Sequence, residues 1–260
     1  MVDHTRAGSF GREARAYDRL RPRPAPEAVD WLLPPGATAV LDLAAGTGLL
    51  TRALAGRVDD VVAVEPDDRM RAVLAASAPC VRALPGTAEE IPLPDGSVDA
   101  VLVSSAWHWF DHDRATTEIA RVLRPGGVLG LIWNYADPEV EWVGAVRAIG
   151  RADRDGAVDF TRHRFDVTLP AGAPFGPGEQ RSFRWTGAMT RDDVAGIVCT
   201  YSGVLTMPPE EQADVRRRAR ALLDDRPELG DADPLEVLFV THCWAATRLP
   251  DPARGDRSHA

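Results

Sequence analysis

The sequence predicts an α/β fold: a seven-stranded, mainly parallel sheet with helices on both faces and an α-rich cap after the fifth strand. Three observations carry this expectation. Short Val- and Leu-rich runs alternate with helical patterns through the first half, as parallel crossovers require. The first run, Ala39 to Leu43, breaks into a small-residue turn, Ala44 to Gly48. That turn opens a helix carried by Leu49, Leu50, Ala53 and Leu54. Strand, glycine turn and helix together open a Rossmann-like nucleotide-binding unit. Gly46 and Gly48 lack Cβ atoms, so a ligand can approach the backbone there and the chain can turn sharply.

The elements follow in order. Residues 9–22 place Phe10, Ala14, Tyr17 and Leu20 at helical spacing, and Pro22, Pro24 and Pro26 then force an extended link. A second short helix covers 27–33, and Pro34-Pro35-Gly36 stops it before the first strand. The run 61–65 ends on Glu65 and precedes a helix over 67–78, with Asp67 and Asp68 favourable at its start. A short strand at 81–86, a loop and a strand at 98–103 come next. An aromatic loop, a helix over 114–123 and a fifth strand at 128–133 follow. Further on are a helix at 139–152, a Gly/Pro-rich stretch, a strand at 181–186 and a helix at 191–202. A charged helix at 210–224 and a last strand at 235–246 close the pattern. The expected division is 1–135 for lid helices and nucleotide-binding core and 136–205 for a cap over the acceptor. Residues 206–249 complete the sheet, and 250–260 form a loose tail.

Composition excludes several classes. The chain has 260 residues, 45% hydrophobic and 27% charged, with net charge −9. An acidic balance argues against a nucleic-acid surface, which needs clustered positive charge. All 30 basic residues are arginine, which removes a lysine Schiff base or a P-loop lysine. Cys80, Cys199 and Cys243 have no metal-ligand or redox spacing and read as reduced, buried thiols. No metal is expected. The first residues form no signal peptide, and no apolar run approaches a membrane span, so the expected location is cytoplasmic. The arginine run Arg216-Arg217-Arg218 reads as a solvated helix face.

Two cofactors compete for the glycine turn. A dinucleotide fingerprint is G-x-G-x-x-G, but counting from Gly46 the third position is Thr51. Asp42 also ends the first strand, and a carboxylate there repels a pyrophosphate. It suits a cationic ligand without phosphate, and S-adenosylmethionine is such a molecule. Glu65, at the second strand tip, can accept hydrogen bonds from both ribose hydroxyls.

The set Asp42, Gly46, Gly48 and Glu65 resembles the class I S-adenosylmethionine-dependent methyltransferase family in its D-x-x-x-G-x-G pattern and following acid. Residues 86–99 and Arg121 to Gly127 resemble the same family in register, and the entry carrying Phe10, Ala14 and Arg21-Pro22 resembles it with Tyr17 placed slightly differently. The nearest group is small-molecule methyltransferases similar to the trans-aconitate and UbiE-like enzymes. The resemblance implies that Gly46 and Gly48 pass under the methionine part, with Asp42 near its amino group. Glu65 would hold the ribose, and Pro66, Asp67 and Met70 would flank the adenine. Ala88 and Glu89 would meet the adenine edge, and Tyr17 and Arg21 would close the entrance, Arg21 on the carboxylate. Ala44, Thr47, Thr87 and Ser104 complete the expected cofactor set.

Methyl transfer requires a nucleophile aligned on the sulfonium methyl and water kept out. The loop Ser104 to Asp111 lies at the carboxyl end of the sheet and offers His108 as a general base. Trp107, Trp109, Trp133, Asn134 and Tyr201 are the expected acceptor pocket. His242 is a second candidate base, read more readily as a structural histidine. Arg162 and Arg164 are candidates for a carboxylate acceptor. The expected acceptor is a small molecule, possible in natural-product tailoring, and the enzyme a monomer or homodimer. The rivals are an NAD(P)-dependent oxidoreductase and a non-catalytic cofactor-binding protein.

Overall fold

The computed structural model describes residues 14–150 and 167–250. Phe10, Arg162, Arg164 and residues 251–260 lie outside the described residues. Seven strands form one sheet: β1 (Ala39–Leu43), β2 (Asp60–Val64), β3 (Arg82–Leu84), β4 (Val98–Ser104), β5 (Leu123–Ala136), β6 (Glu179–Met189) and β7 (Leu235–Thr247). Their order is β3-β2-β1-β4-β5-β7-β6. The first five are parallel, and β7 runs antiparallel between β5 and β6. The chain winds outward from β1 in one direction and from β4 in the other. The crevice between them, at their carboxyl ends, is therefore the topological switch where ligands bind in such sheets.

The helices are α1 (Ala14–Leu20), α2 (Pro26–Leu32), α3 (Leu49–Leu54), α4 (Asp68–Ser77), α5 (His112–Val122), α6 (Glu141–Ile149), α7 (Arg191–Ile197), α8 (Ser202–Leu205) and α9 (Pro209–Asp224). Local chemistry starts several of them. Pro26 and Pro209 occupy first-turn positions, where a missing N–H costs nothing. Asp67, Asp111 and Thr190 cap α4, α5 and α7 by accepting backbone N–H groups.

Alternation along the strands sorts the core onto two faces. Leu41, Leu43, Val101, Val103, Leu129 and Leu131 pack with Ala115 and Ile119 of α5. On the other face Val40, Ala100, Leu102 and Ile132 pack with Val29 and Leu32 of α2 and Leu50 and Leu54 of α3. A third cluster joins α6, α7 and α9 to Leu235, Val237 and Phe239 of β7.

Four expectations change. The span 136–205 divides: β6 belongs to the main sheet and pairs with β7 from Glu179↔Ala245 to Met189↔Leu235. Helix α9, expected to complete the sheet region, packs with α6 and α7 instead. β5 starts at Leu123, inside the expected helix end, and absorbs Pro125-Gly126-Gly127 through a register shift between Val98 and Ala100 of β4. Of the three thiols, Cys80 is exposed and Cys199 half-buried; only Cys243 is buried, and burial pushes its thiol up to about 12.

Candidate cofactor site and acceptor side

The crevice is built from the ends of β1, β2 and β4. Two non-glycine residues there adopt left-handed backbone, Ala44 with φ 57° at the end of β1 and Ser105 with φ 56° at the end of β4. Each costs about 1 kcal/mol relative to ordinary backbone, and such strain gathers at ligand sites. Gly46 and Gly48 follow with φ 58° and 85°. A Cβ on Gly46 would meet nothing within 4 Å, so the space over this residue is open. A Cβ on Gly48 would lie 2.9 Å from Leu74 Cγ, so here glycine is needed for both backbone and packing.

Asp42 sits on β1 with no exposed surface. Its Oδ2 accepts the Thr51 hydroxyl at 2.5 Å. Its Oδ1 is buried with no partner among the described residues, as is the Thr47 hydroxyl. Burial pushes the Asp42 carboxyl up to about 7, against the hydrogen bonding of Thr51 and helped by the nearby Glu65. A carboxylate this costly to ionise is suited to a cation that is itself brought out of water.

Glu65 follows β2 directly and is 7% exposed. Oε2 accepts Gly46 N at 2.8 Å and Oε1 accepts Asp67 N at 2.9 Å. Each oxygen keeps a second acceptor position, so the carboxylate is fixed by the backbone and can still receive two hydroxyl donors. Burial raises its pKa against those two amides. Asp67 is occupied otherwise: its side chain caps α4 through Arg69 N and Met70 N and pairs with the Arg69 guanidinium at 2.8 Å. Pro66 bridges these two acids in sequence, and Met70 is buried below them.

Helix α1 is fastened to this turn. Arg52 reaches Asp18 at 2.7 Å, Ser77 Oγ at 2.6 Å and the Thr47 carbonyl at 3.0 Å. Tyr17 and Arg21 lie together, with the guanidinium carbon 5.1 Å from the tyrosine ring centroid. Sequence reasoning missed Thr51, Asp18 and Arg52 as site residues. Thr51 was legible only as a missing glycine; a donor for the buried Asp42 is the signal that points to it.

Comparison with known proteins agrees with this crevice. A family described as a methyltransferase domain matches residues 41–131. An uncharacterized methyltransferase of Mycobacterium tuberculosis is 48% identical over 240 residues, covering 92% of this chain and 95% of the relative. A fission-yeast methyltransferase-like protein is 29% identical, over 96% of this chain and 99% of its own length. A solved structure of a proposed type II methyltransferase from Anaeromyxobacter dehalogenans superposes with TM-score 0.64 at 27% identity, covering 89% of this chain and 99% of that one. The chain belongs to the class I S-adenosylmethionine-dependent methyltransferase family. The comparisons lend nothing to the dinucleotide-dependent oxidoreductase alternative.

The remaining residues expected in this methyltransferase fall around the crevice unevenly. Thr87 bridges to Glu90, and Ala88 is buried in the core. Glu89 accepts Asp111 N at 2.9 Å, tying the loop after β3 to the start of α5. Ser104 ends β4, half-buried. His108 lies on a single 3₁₀ turn after β4, exposed, with its ring 4.6 Å from that of the half-buried Trp109. Trp107 points inward, stacked on His112 at 4.9 Å and edge-on to Phe110 at 5.7 Å. Trp133 is likewise in the main core, 3% exposed.

Trp133 and Asn134 were expected to face the acceptor together. Successive strand residues point to opposite faces, and the structure separates them. Asn134 donates to the carbonyls of Pro22 at 2.8 Å and Arg23 at 2.5 Å, and accepts the Thr241 hydroxyl at 2.9 Å. It anchors the proline link between α1 and α2. His242 is half-buried, bonded through Nδ1 to Ser182 Oγ at 2.6 Å, and burial lowers its pKa. Tyr201 stands against Arg21, 5.3 Å from its guanidinium carbon. Sequence reasoning missed Tyr135 and Arg147. The Arg147 guanidinium carbon lies 4.5 Å over the Tyr135 ring, beside the carboxyl end of β5.

Proposed function

We propose that this protein transfers the methyl group of S-adenosylmethionine to a small-molecule acceptor. The observation that carries the reading is Glu65, held by Gly46 N and Asp67 N beside the open face of Gly46. That arrangement fits a ribose with two hydroxyls next to an amino-acid tail lying over the glycine turn. The unpartnered Asp42 Oδ1 and Thr47 hydroxyl fit the ammonium of that tail, and Arg21 fits its carboxylate. Pro66 and Met70 would border the adenine, with Ala88 and Glu89 at its edge. Asp67 would serve through its backbone, because its carboxylate caps α4.

When bound, the cofactor supplies an electrophilic methyl on a sulfonium. The chain's own residues then have to hold the acceptor in line and exclude water. Helices α6, α7 and α8 are the cap in this reading, and Tyr135, Arg147 and Trp109 border the acceptor with His108. His108 takes the proton of a hydroxyl acceptor; its exposure on the rim lets it pass that proton to solvent. The acidic net charge of −9 supports a small-molecule acceptor rather than nucleic acid. No helix among the described residues is long and apolar enough to cross a membrane.

Titration calorimetry with S-adenosylmethionine and S-adenosylhomocysteine tests the cofactor. The wild type binds both, and a Glu65→Ala, Gly48→Val double variant binds neither. Full affinity in the double variant overturns the reading. Once an acceptor is found, His108→Ala lowers kcat; unchanged turnover takes His108 out of the mechanism.

A further inference from the structure

Arg21 is held in an unusual way. Its guanidinium lies between two tyrosine rings, Tyr17 at 5.1 Å from α1 and Tyr201 at 5.3 Å from the start of α8. Nη2 donates to the Thr200 carbonyl at 3.0 Å. Its Nε–H is buried with no partner, and no carboxylate pairs with it, among the described residues. Two other arginines near α1 do have carboxylate partners: Arg19 pairs with Asp193 and Arg52 with Asp18. A half-buried guanidinium with a shielded, unused N–H and two aromatic faces is prepared for an anion, and its planar fork suits a carboxylate.

The position selects which carboxylate. Helix α1 is tied to the glycine turn by Asp18–Arg52 and the Arg52 bond to the Thr47 carbonyl. On its other side Leu20 packs on Gly196 of α7, where a Cβ would come within 3.1 Å of Leu20 Cδ1. Arg21 thus stands where the core and the α6–α9 group meet. The Tyr201 ring is itself confined, since a Cβ on Gly150 would lie 3.1 Å from its Cδ2.

We propose that Tyr201, together with the Thr200 carbonyl, is a positioning residue that fixes Arg21 for the methionine carboxylate of the cofactor, so that the C-terminal helices complete the cofactor site. This rests on the cofactor reading above. It moves Tyr201 from the acceptor pocket to the cofactor's tail, acting through Arg21. What Tyr201 supplies is its ring face, not its hydroxyl.

Calorimetry on the full chain tests this with two probes, S-adenosylhomocysteine and methylthioadenosine, which keeps the nucleoside and lacks the amino-acid tail. Tyr201→Leu weakens S-adenosylhomocysteine about tenfold and leaves methylthioadenosine unchanged. Tyr201→Phe binds both as the wild type does. Adding Tyr201→Leu to Arg21→Gln weakens S-adenosylhomocysteine little further, because the two act as one unit. Unchanged S-adenosylhomocysteine affinity in Tyr201→Leu overturns the proposal. So does equal weakening of both probes, which marks a packing role, or a Tyr201→Phe variant as weak as Tyr201→Leu. A wild type that binds neither probe overturns the cofactor reading, and the role of Tyr201 with it.

Discussion

Thr51 donates its hydroxyl to Asp42 at 2.5 Å inside the protein, and nothing else among the described residues bonds the carboxylate's second oxygen. The threonine that breaks the dinucleotide spacing is therefore the residue that holds the acid in place. Half of the acid is satisfied by the fold, and the other half is what the proposed cofactor would meet.

The raised pKa of Asp42 has a thermodynamic consequence. The unfolded chain releases this proton near 3.8 and the folded chain near about 7. Between those values the folded state binds more protons, so this group's contribution to stability is full below about pH 4 and is lost as pH rises through 7. Asp42→Asn is expected to be more stable than the wild type at pH 8, by on the order of a few kcal/mol. The gap closes toward pH 4, as urea unfolding at the two pH values measures. The same variant binds S-adenosylmethionine more weakly at pH 8, where the wild-type carboxylate is ionised.

Glu65→Gln probes the ribose acceptor. Its amide nitrogen would face either Gly46 N or Asp67 N, donor against donor, so the loss exceeds one ribose bond. Affinity for S-adenosylhomocysteine should fall roughly 10- to 100-fold, and the melting temperature of the free protein should fall with the lost backbone bond. Calorimetry and a thermal melt of the same sample check both halves.

Gly48→Ala places a methyl 2.9 Å from Leu74 Cγ at a backbone φ of 85°. Both effects act in the folded state, and stability should drop by about 1–3 kcal/mol. Leu74 is fully buried and its own truncation to Ala costs about 2–5 kcal/mol, so the comparison is a double-mutant cycle. In the Leu74→Ala background Gly48→Ala regains room but keeps the φ strain, and by urea unfolding it should cost less than in the wild type, though not zero. A zero cost in that background would assign the whole effect to packing.

Asn134→Ala separates an anchoring role from acceptor binding. It removes two bonds to the proline link and one to Thr241. The expected cost is about 2–3 kcal/mol of stability. Affinity for methylthioadenosine stays at the wild-type value at a temperature where the variant is folded. If stability is unchanged, the anchoring role is wrong.

The order of elements and the cofactor crevice were legible because their signals are local. A parallel strand covered on both faces must be apolar throughout, and a turn that a ligand approaches must be small; both constraints fall on consecutive residues. Asp42, Gly46, Gly48 and Glu65 could be picked out for that reason, since each ends or follows a strand within one β-α-β unit. Tyr17 and Arg21 came only with the family resemblance; what the structure adds is their contact, with the guanidinium carbon 5.1 Å from the ring centroid.

The rest depends on contacts across the chain, which no local pattern carries. Asn134 and Trp133 are neighbours in sequence and end on opposite faces because a strand alternates. Thr241 reaches Asn134 from 107 residues away, and Tyr201 meets Arg21 only because α8 folds back on α1. The sequence by itself determined the family, the strand–turn–helix crevice and the acids that line it. Only the tertiary structure decided that Asn134 is a fastening, that Trp107 and Trp133 lie in the core, and that Tyr201 stands against Arg21. The physical reason is that packing and hydrogen bonding between distant segments depend on which faces meet, and the sheet order β3-β2-β1-β4-β5-β7-β6 fixes those faces.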